Sequence, residues 1–202
     1  MRQSLLVSLI LLVPLRLSGQ APLTRTVSGR TLTSPAHPAA TFVVDSAFRF
    51  VGAQAIDVVK VAGAEQYFFI QAAPDRSIRR FYWFQFEQYY PTNSYTYDFS
   101  EMRQQPVPLG PLPFMGDVRT SPNYFTMDDR PGSDSKAAET FLRGHGLILD
   151  GTFVTLRLFH LPDSTRRREL MILYGEVLPP GTPETDLTAG IVRRAQAGVT
   201  VH

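Results

Sequence analysis

Cysteine is absent from the 202 residues. That excludes a disulfide framework, a thiolate nucleophile, a cysteine metal site and a lipidated N-terminal cysteine. Lysine is nearly absent: of 20 basic residues only Lys60 and Lys136 are lysine. The other cations are arginines, whose planar fork suits carboxylates and other anions. No uncharged run reaches the roughly 20 apolar residues a helical membrane span needs. There is no G-x-S-x-G elbow, no Walker loop and no G-x-G-x-x-G. The enzyme classes that those motifs define are set aside. Hydrolysis by paired carboxylates, which needs no local signature, is not.

What the chain does have begins at its first residue. Met1-Arg2-Gln3 precedes ten residues without a charge, Ser4 to Val13. Pro14 breaks that run, and Ser18-Gly19-Gln20-Ala21 supplies small or polar residues where cleavage should fall. A positive start, a short apolar core and small residues make a secretory signal. Residues 1–20 are therefore expected to be a signal peptide, and the protein to be exported, periplasmic or extracellular, in the bacterial manner. Membrane contact is expected only through this segment if it stays uncleaved. Because residues 1–20 hold Arg2 and Arg16 and no acid, their removal takes the formal charge from +2 to zero. A neutral mature chain has no global electrostatic reason to bind nucleic acid or anionic lipid.

Residues 21–40 are rich in Ser, Thr, Pro and Ala and read as a flexible leader. Residues 41–202 read as one α+β domain, long enough to bury roughly 70% of its unfolded surface. Short β-branched and aromatic runs start at Phe42. The clearest element is a hairpin, Tyr67–Ala72 with Ser77–Tyr89, turning at Ala73-Pro74-Asp75-Arg76. Tyr95, Tyr97 and Phe99 alternate with polar residues and predict a further strand. Residues 104–133, studded with Pro and Gly, read as a packed loop or lid. A helix capped by Asp134 or Ser135 should end at Gly144. A second hairpin pairs Thr152–Leu161 with Arg168–Leu178. Thr182-Pro183-Glu184 opens a C-terminal helix. The fold class that follows is α+β: a curved antiparallel sheet of six to eight strands with one internal helix and a C-terminal helix packed on it.

Alternation on the long strand puts Arg79, Phe81, Trp83, Gln85 and Glu87 on one face. Tyr82, Phe84 and Phe86 make an ordinary core stripe on the other. The first face mixes the only tryptophan with polar groups, which is how aromatic-walled ligand pockets are built. Arg79, Trp83, Gln85 and Glu87, with hydroxyls from Tyr95 and Tyr97, are the candidate ligand-binding residues. The expected partner is a small molecule, with no cofactor and no metal. The leading expectation is a non-catalytic binding domain. One alternative is a hydrolase using Glu87 with His145 or with another carboxylate, Glu65 included. The other is a cell-envelope interaction module without a pocket. His145 sits where a cation caps a helix end. Three carboxylates in 127–134 lack the regular spacing of a calcium loop and read as turn and cap residues. Arg166-Arg167-Arg168 reads as a solvated hairpin tip.

Overall fold

The computed structural model describes residues 22–100, 104–122, 124–126 and 128–202. The signal segment expected at 1–20 lies outside the described residues. Along the chain run β1 (Thr26–Ser28), β2 (Thr31–Ser34), β3 (Ala40–Val44), β4 (Arg49–Val58), β5 (Ala62–Ala72) and β6 (Ile78–Tyr89). Then come β7 (Gln105–Leu109), β8 (Leu112–Pro122), a 3-10 turn at Tyr124–Thr126 and α1 (Asp134–Gly144). The chain continues with β9 (Thr152–His160), β10 (Arg168–Val177), α2 (Glu184–Thr188), α3 (Ile191–Ala197) and β11 (Val199–Val201). The fold is α+β, as its sequence pattern predicts. A seven-stranded antiparallel sheet has the order β4-β5-β6-β10-β9-β8-β7, and a four-stranded one the order β1-β2-β3-β11. No helix among the described residues is long and apolar enough to cross a membrane.

Both predicted hairpins form, as β5–β6 and β9–β10. They meet along β6–β10, so the two longest apolar runs lie side by side at the centre of the large sheet. Tyr82, Phe84 and Phe86 face the small sheet and α3, packing with Leu32, Phe42, Ile191 and Ala195. The stripe is core, as expected. The opposite face is covered as well: Phe81 and Trp83 lie with Phe68, Phe125, Ala138 and Leu142, beneath α1. Burial on both faces explains why Phe81 to Phe86 carries no charge at all.

Four expectations need correction. Residues 22–40 of the expected leader are not free: β1 pairs with β2 and β2 with β3, and Leu32 is fully buried in the main core. Those strands are short and polar, and the pairing that forms them is invisible locally. Part of 104–133 is a hairpin, β7–β8, that forms the edge of the large sheet. Its prolines are compatible with an edge strand, where fewer N–H groups need a ladder partner. Gly110 makes the tight turn possible. Its φ is +60°, and a Cβ there would stand 2.6 Å from the Val201 carbonyl oxygen.

The C-terminal helix is broken in two by Gly190, at φ +82°. No strand forms at 95–99; that segment is irregular and held from the side. A smaller shift is the cap of α1. Ser133 is the N-cap, and its hydroxyl accepts from the Lys136 N–H at 3.2 Å.

Candidate functional site

The site starts from the register of β6 with β10. Glu87 lies directly opposite Glu169, Gln85 opposite Met171, and Trp83 opposite Leu173. Along this face α1 covers the Trp83 end, and its first turn stands over Gln85. The covering stops there. Beyond it, Gln85, Glu87, Glu169, Tyr97, Asp134 and Arg157 line a cavity of about 430 Å³, with Val59, Tyr89, Phe99 and Met171 as its less polar wall.

Glu87 is held from two sides. The Tyr97 hydroxyl donates to its Oε1 at 2.7 Å and Gln85 Nε2 donates to its Oε2 at 2.7 Å. Gln85 ends a row of three amides that face one another across β4, β5 and β6. Gln54 Nε2 donates to Gln66 Oε1 at 2.8 Å, and Gln66 Nε2 donates to Gln85 Oε1 at 2.8 Å. The backbone carbonyls of Asp134 and Ala137 on α1 accept the spare protons of Gln66 and Gln54, each at 3.1 Å. Every dipole in the row therefore points the same way and ends on a carboxylate, an arrangement in which successive hydrogen bonds strengthen one another. Burial pushes the Glu87 carboxyl above its ordinary value, against the pull of the Tyr97 and Gln85 hydrogen bonds, which favour the charged form.

Glu169 is less well served. Its side chain is only 6% exposed, and its one polar contact among the described residues is Arg157 Nη2, 3.4 Å from Oε1. Burial raises its carboxyl to about 7, with Glu87 and Asp134 pushing the same way and Arg157 opposing. Tyr97 is driven the other way from ionisation. Burial first, and the Glu87 charge second, push its hydroxyl well above the usual phenol range, so it stays a donor.

Tyr97 reaches Glu87 from an irregular loop, and two of the three adjacent arginines hold that loop. Arg166 Nε donates to the Tyr97 carbonyl at 2.8 Å, and the Tyr97 N–H donates to the Arg166 carbonyl at 2.7 Å. Arg167 reaches the carbonyls of Tyr95 and Tyr90 at 2.9 and 2.7 Å. Arg168 pairs with Asp163 at 2.9 Å. Arg166 and Arg167 therefore clamp the loop, and Arg168 braces its own hairpin turn at Asp163, where the sequence suggests only a solvated tip.

Of the six expected ligand residues, Gln85, Glu87 and Tyr97 line the cavity. Arg79, Trp83 and Tyr95 do not. Arg79 is exposed at an irregularity where Gln71 faces Arg80 but Ala72 faces Ile78, which takes it out of the strand's alternation. Trp83 is buried against Phe68, and its indole N–H finds no hydrogen-bond partner among the described residues. Tyr95 is 55% exposed and meets Tyr89 edge-on.

His145 does not approach Glu87. It is the C-cap of α1, its ring against Phe141. Glu65 is on the other face of the sheet, where it accepts from the Thr24 hydroxyl at 2.6 Å and from Tyr67. Asp128 is taken up by a two-pronged pair with Arg130. No group of three His, Cys, Asp or Glu among the described residues is placed to hold a metal ion.

Sequence reasoning missed Glu169, Arg157 and the glutamine row. A signal for Glu169 existed: it is in phase with Met171 and Leu173 and directly precedes the apolar run Leu170–Tyr174. No protein-family model matches the chain, and neither does any curated protein or solved structure.

Proposed function

We propose that the chain is an exported domain that binds a small polar molecule in the cavity beside Glu87 and Glu169. The observation that carries this reading is Glu169: a buried carboxylate with one long contact, turned toward an open cavity of ligand size. Burying a carboxyl group so poorly partnered costs stability, and a ligand that completes its hydrogen bonds recovers it. Export rests on the charge-free run Ser4–Val13 behind Arg2. The test is methyl-labelled NMR with a set of small polar fragments. Met171 lines the cavity, so at least one fragment should shift its methyl resonance saturably, and Tyr97→Phe should weaken that response. A set that leaves Met171 unmoved overturns the reading.

A second reading is favoured by two titratable carboxylates facing one void, one with its pKa near neutrality. In a hydrolase, Glu169 would give its proton to a leaving oxygen as the C–O bond breaks. Glu87 would take a proton from the water that adds. Glu169, rather than His145, is the partner this geometry offers. Turnover of chromogenic glycosides or esters, lost in both Glu87→Gln and Glu169→Gln, would select this reading. No turnover with a bound fragment selects the first.

A further inference from the structure

We infer that the cavity takes a small organic cation, an ammonium or guanidinium head on a short apolar stem. This rests on the ligand-binding reading above and names the class of ligand.

The argument begins with how the cavity's charges are partnered. Asp128 is held by Arg130 at 2.6 and 2.8 Å, Asp98 lies 3.4 Å from Arg166, and Glu169 lies 3.4 Å from Arg157. Arg130 is thereby engaged; Arg157 reaches Glu169 through Nη2 alone, and its buried Nε has no hydrogen-bond partner among the described residues, so the two arginines leave the five carboxylates of the lining in excess. Glu87 and Asp134 have no cation within ion-pair distance among the described residues. Their carboxylates nevertheless converge. Gln85 Nε2 stands 2.7 Å from Glu87 Oε2 and 3.3 Å from Asp134 Oδ2. Two anions share one neutral donor, a placement that repels unless a positive charge joins them.

Glu169 adds an independent observation. It is more than nine-tenths buried, it lines the same cavity, and its Oε2 accepts no hydrogen bond among the described residues. Tyr89 and Tyr97 are stacked with centroids 4.5 Å apart, and Phe99 continues the stack from Tyr97 at 6.1 Å. The faces of Tyr97 and Phe99 are taken up by this stacking, by Phe159 and by the Arg157 guanidinium 5.6 Å over Phe99, so the rings serve as an apolar wall and the attraction for a positive head comes from the carboxylates. Val59 and Met171 give a short stem something apolar to touch.

The test uses three probes of one shape and three charges: n-butylammonium, n-butanol and butyrate, titrated at constant ionic strength against the Met171 methyl resonance. Butylammonium should bind about tenfold or more tighter than butanol, and butyrate weakest. Added salt should weaken butylammonium alone. Glu87→Gln should remove the preference for the ammonium while leaving the butanol response. Asp134→Asn serves as a second variant should Glu87→Gln fail to fold. If butanol or butyrate binds as tightly as the ammonium, or if neither variant alters the preference, the cation inference is overturned and the cavity reading stands. If none of the three probes moves Met171, both are overturned.

Discussion

Glu87 and Glu169 face each other as direct register partners on β6 and β10, on the part of the sheet that α1 leaves uncovered. Directly opposed side chains in an antiparallel pair have Cβ atoms about 5 Å apart, and like charges there are destabilising. The pair is tolerable with one proton between them, and burial raises both carboxyls, Glu169 to about 7.

That proton sets a pH dependence. Glu169 titrates at about 7 in the folded chain against an ordinary value of 4.5. The folded state therefore binds more protons than the unfolded state between these limits. The contribution is fully present below pH 4.5 and is lost as pH rises through 7, a change of up to about 3 kcal/mol. Urea unfolding at pH 5 and pH 8 should show the loss, and Glu169→Gln should flatten it. Equal slopes in the two proteins would refute the assignment.

Phe84 and Phe86 should each cost about 3–5 kcal/mol when replaced by alanine. Phe84 is fully buried and Phe86 nearly so, with Phe42 packed against both and the Arg25 guanidinium 3.8 Å over the Phe86 ring. Melting temperatures within about 2 °C of wild type for both variants would contradict this packing.

Gln66→Leu keeps the volume and removes the middle of the amide row. Gln85 loses the donor to its Oε1, Gln54 loses its acceptor, and the Asp134 carbonyl on α1 loses the Gln66 donor. Leaving such buried groups unpaired costs about 1–3 kcal/mol each. Denaturant midpoints measure it. A neutral outcome would mean that the row carries no stability.

Arg167→Ala should release the loop that brings Tyr97 to Glu87. It removes donors to the carbonyls of Tyr90 and Tyr95, at about 1 kcal/mol per hydrogen bond. Hydrogen exchange over residues 93–99 should accelerate while that of β6 stays slow. Unchanged exchange in the loop would show that Arg166 alone suffices.

Protein taken from its native host should carry a mature N-terminus between residues 19 and 23, as read by mass spectrometry. The motive is the apolar run at Ser4–Val13 and the small residues after it. An intact Met1 in the soluble fraction would refute export by cleavage.

Local chemistry made part of this molecule legible. Ala73-Pro74-Asp75-Arg76 and Pro162-Asp163-Ser164-Thr165 announce turns, so both central hairpins could be read. Alternation then placed Gln85 and Glu87 on one face. Where form depends on a partner far along the chain, the same reasoning falls short. Thr26–Ser28 and Thr31–Ser34 carry almost no apolar signal and become strands through pairing, ultimately onto Phe42 and Val43. Pro106, Pro108, Pro111 and Pro113 suggest a loop, yet an edge accommodates them. Glu169 joins Glu87 only through the β6–β10 register, and an irregularity next to Arg79 shifts a side chain that strict alternation would place with them.

The pairing of β11 with β3 has a consequence for how the protein is made. Val199–Val201 lies along Phe42–Val44, and Thr41 and His202 exchange both of their backbone hydrogen bonds. The whole of the large sheet is synthesised between those two strands. Until the last of them emerges, β3 has an open edge and Phe42 and Val44 lack their cover, the condition in which strands find wrong partners. Folding of the small sheet must therefore be a late event, after synthesis of β11 and, if the chain is exported unfolded, after translocation.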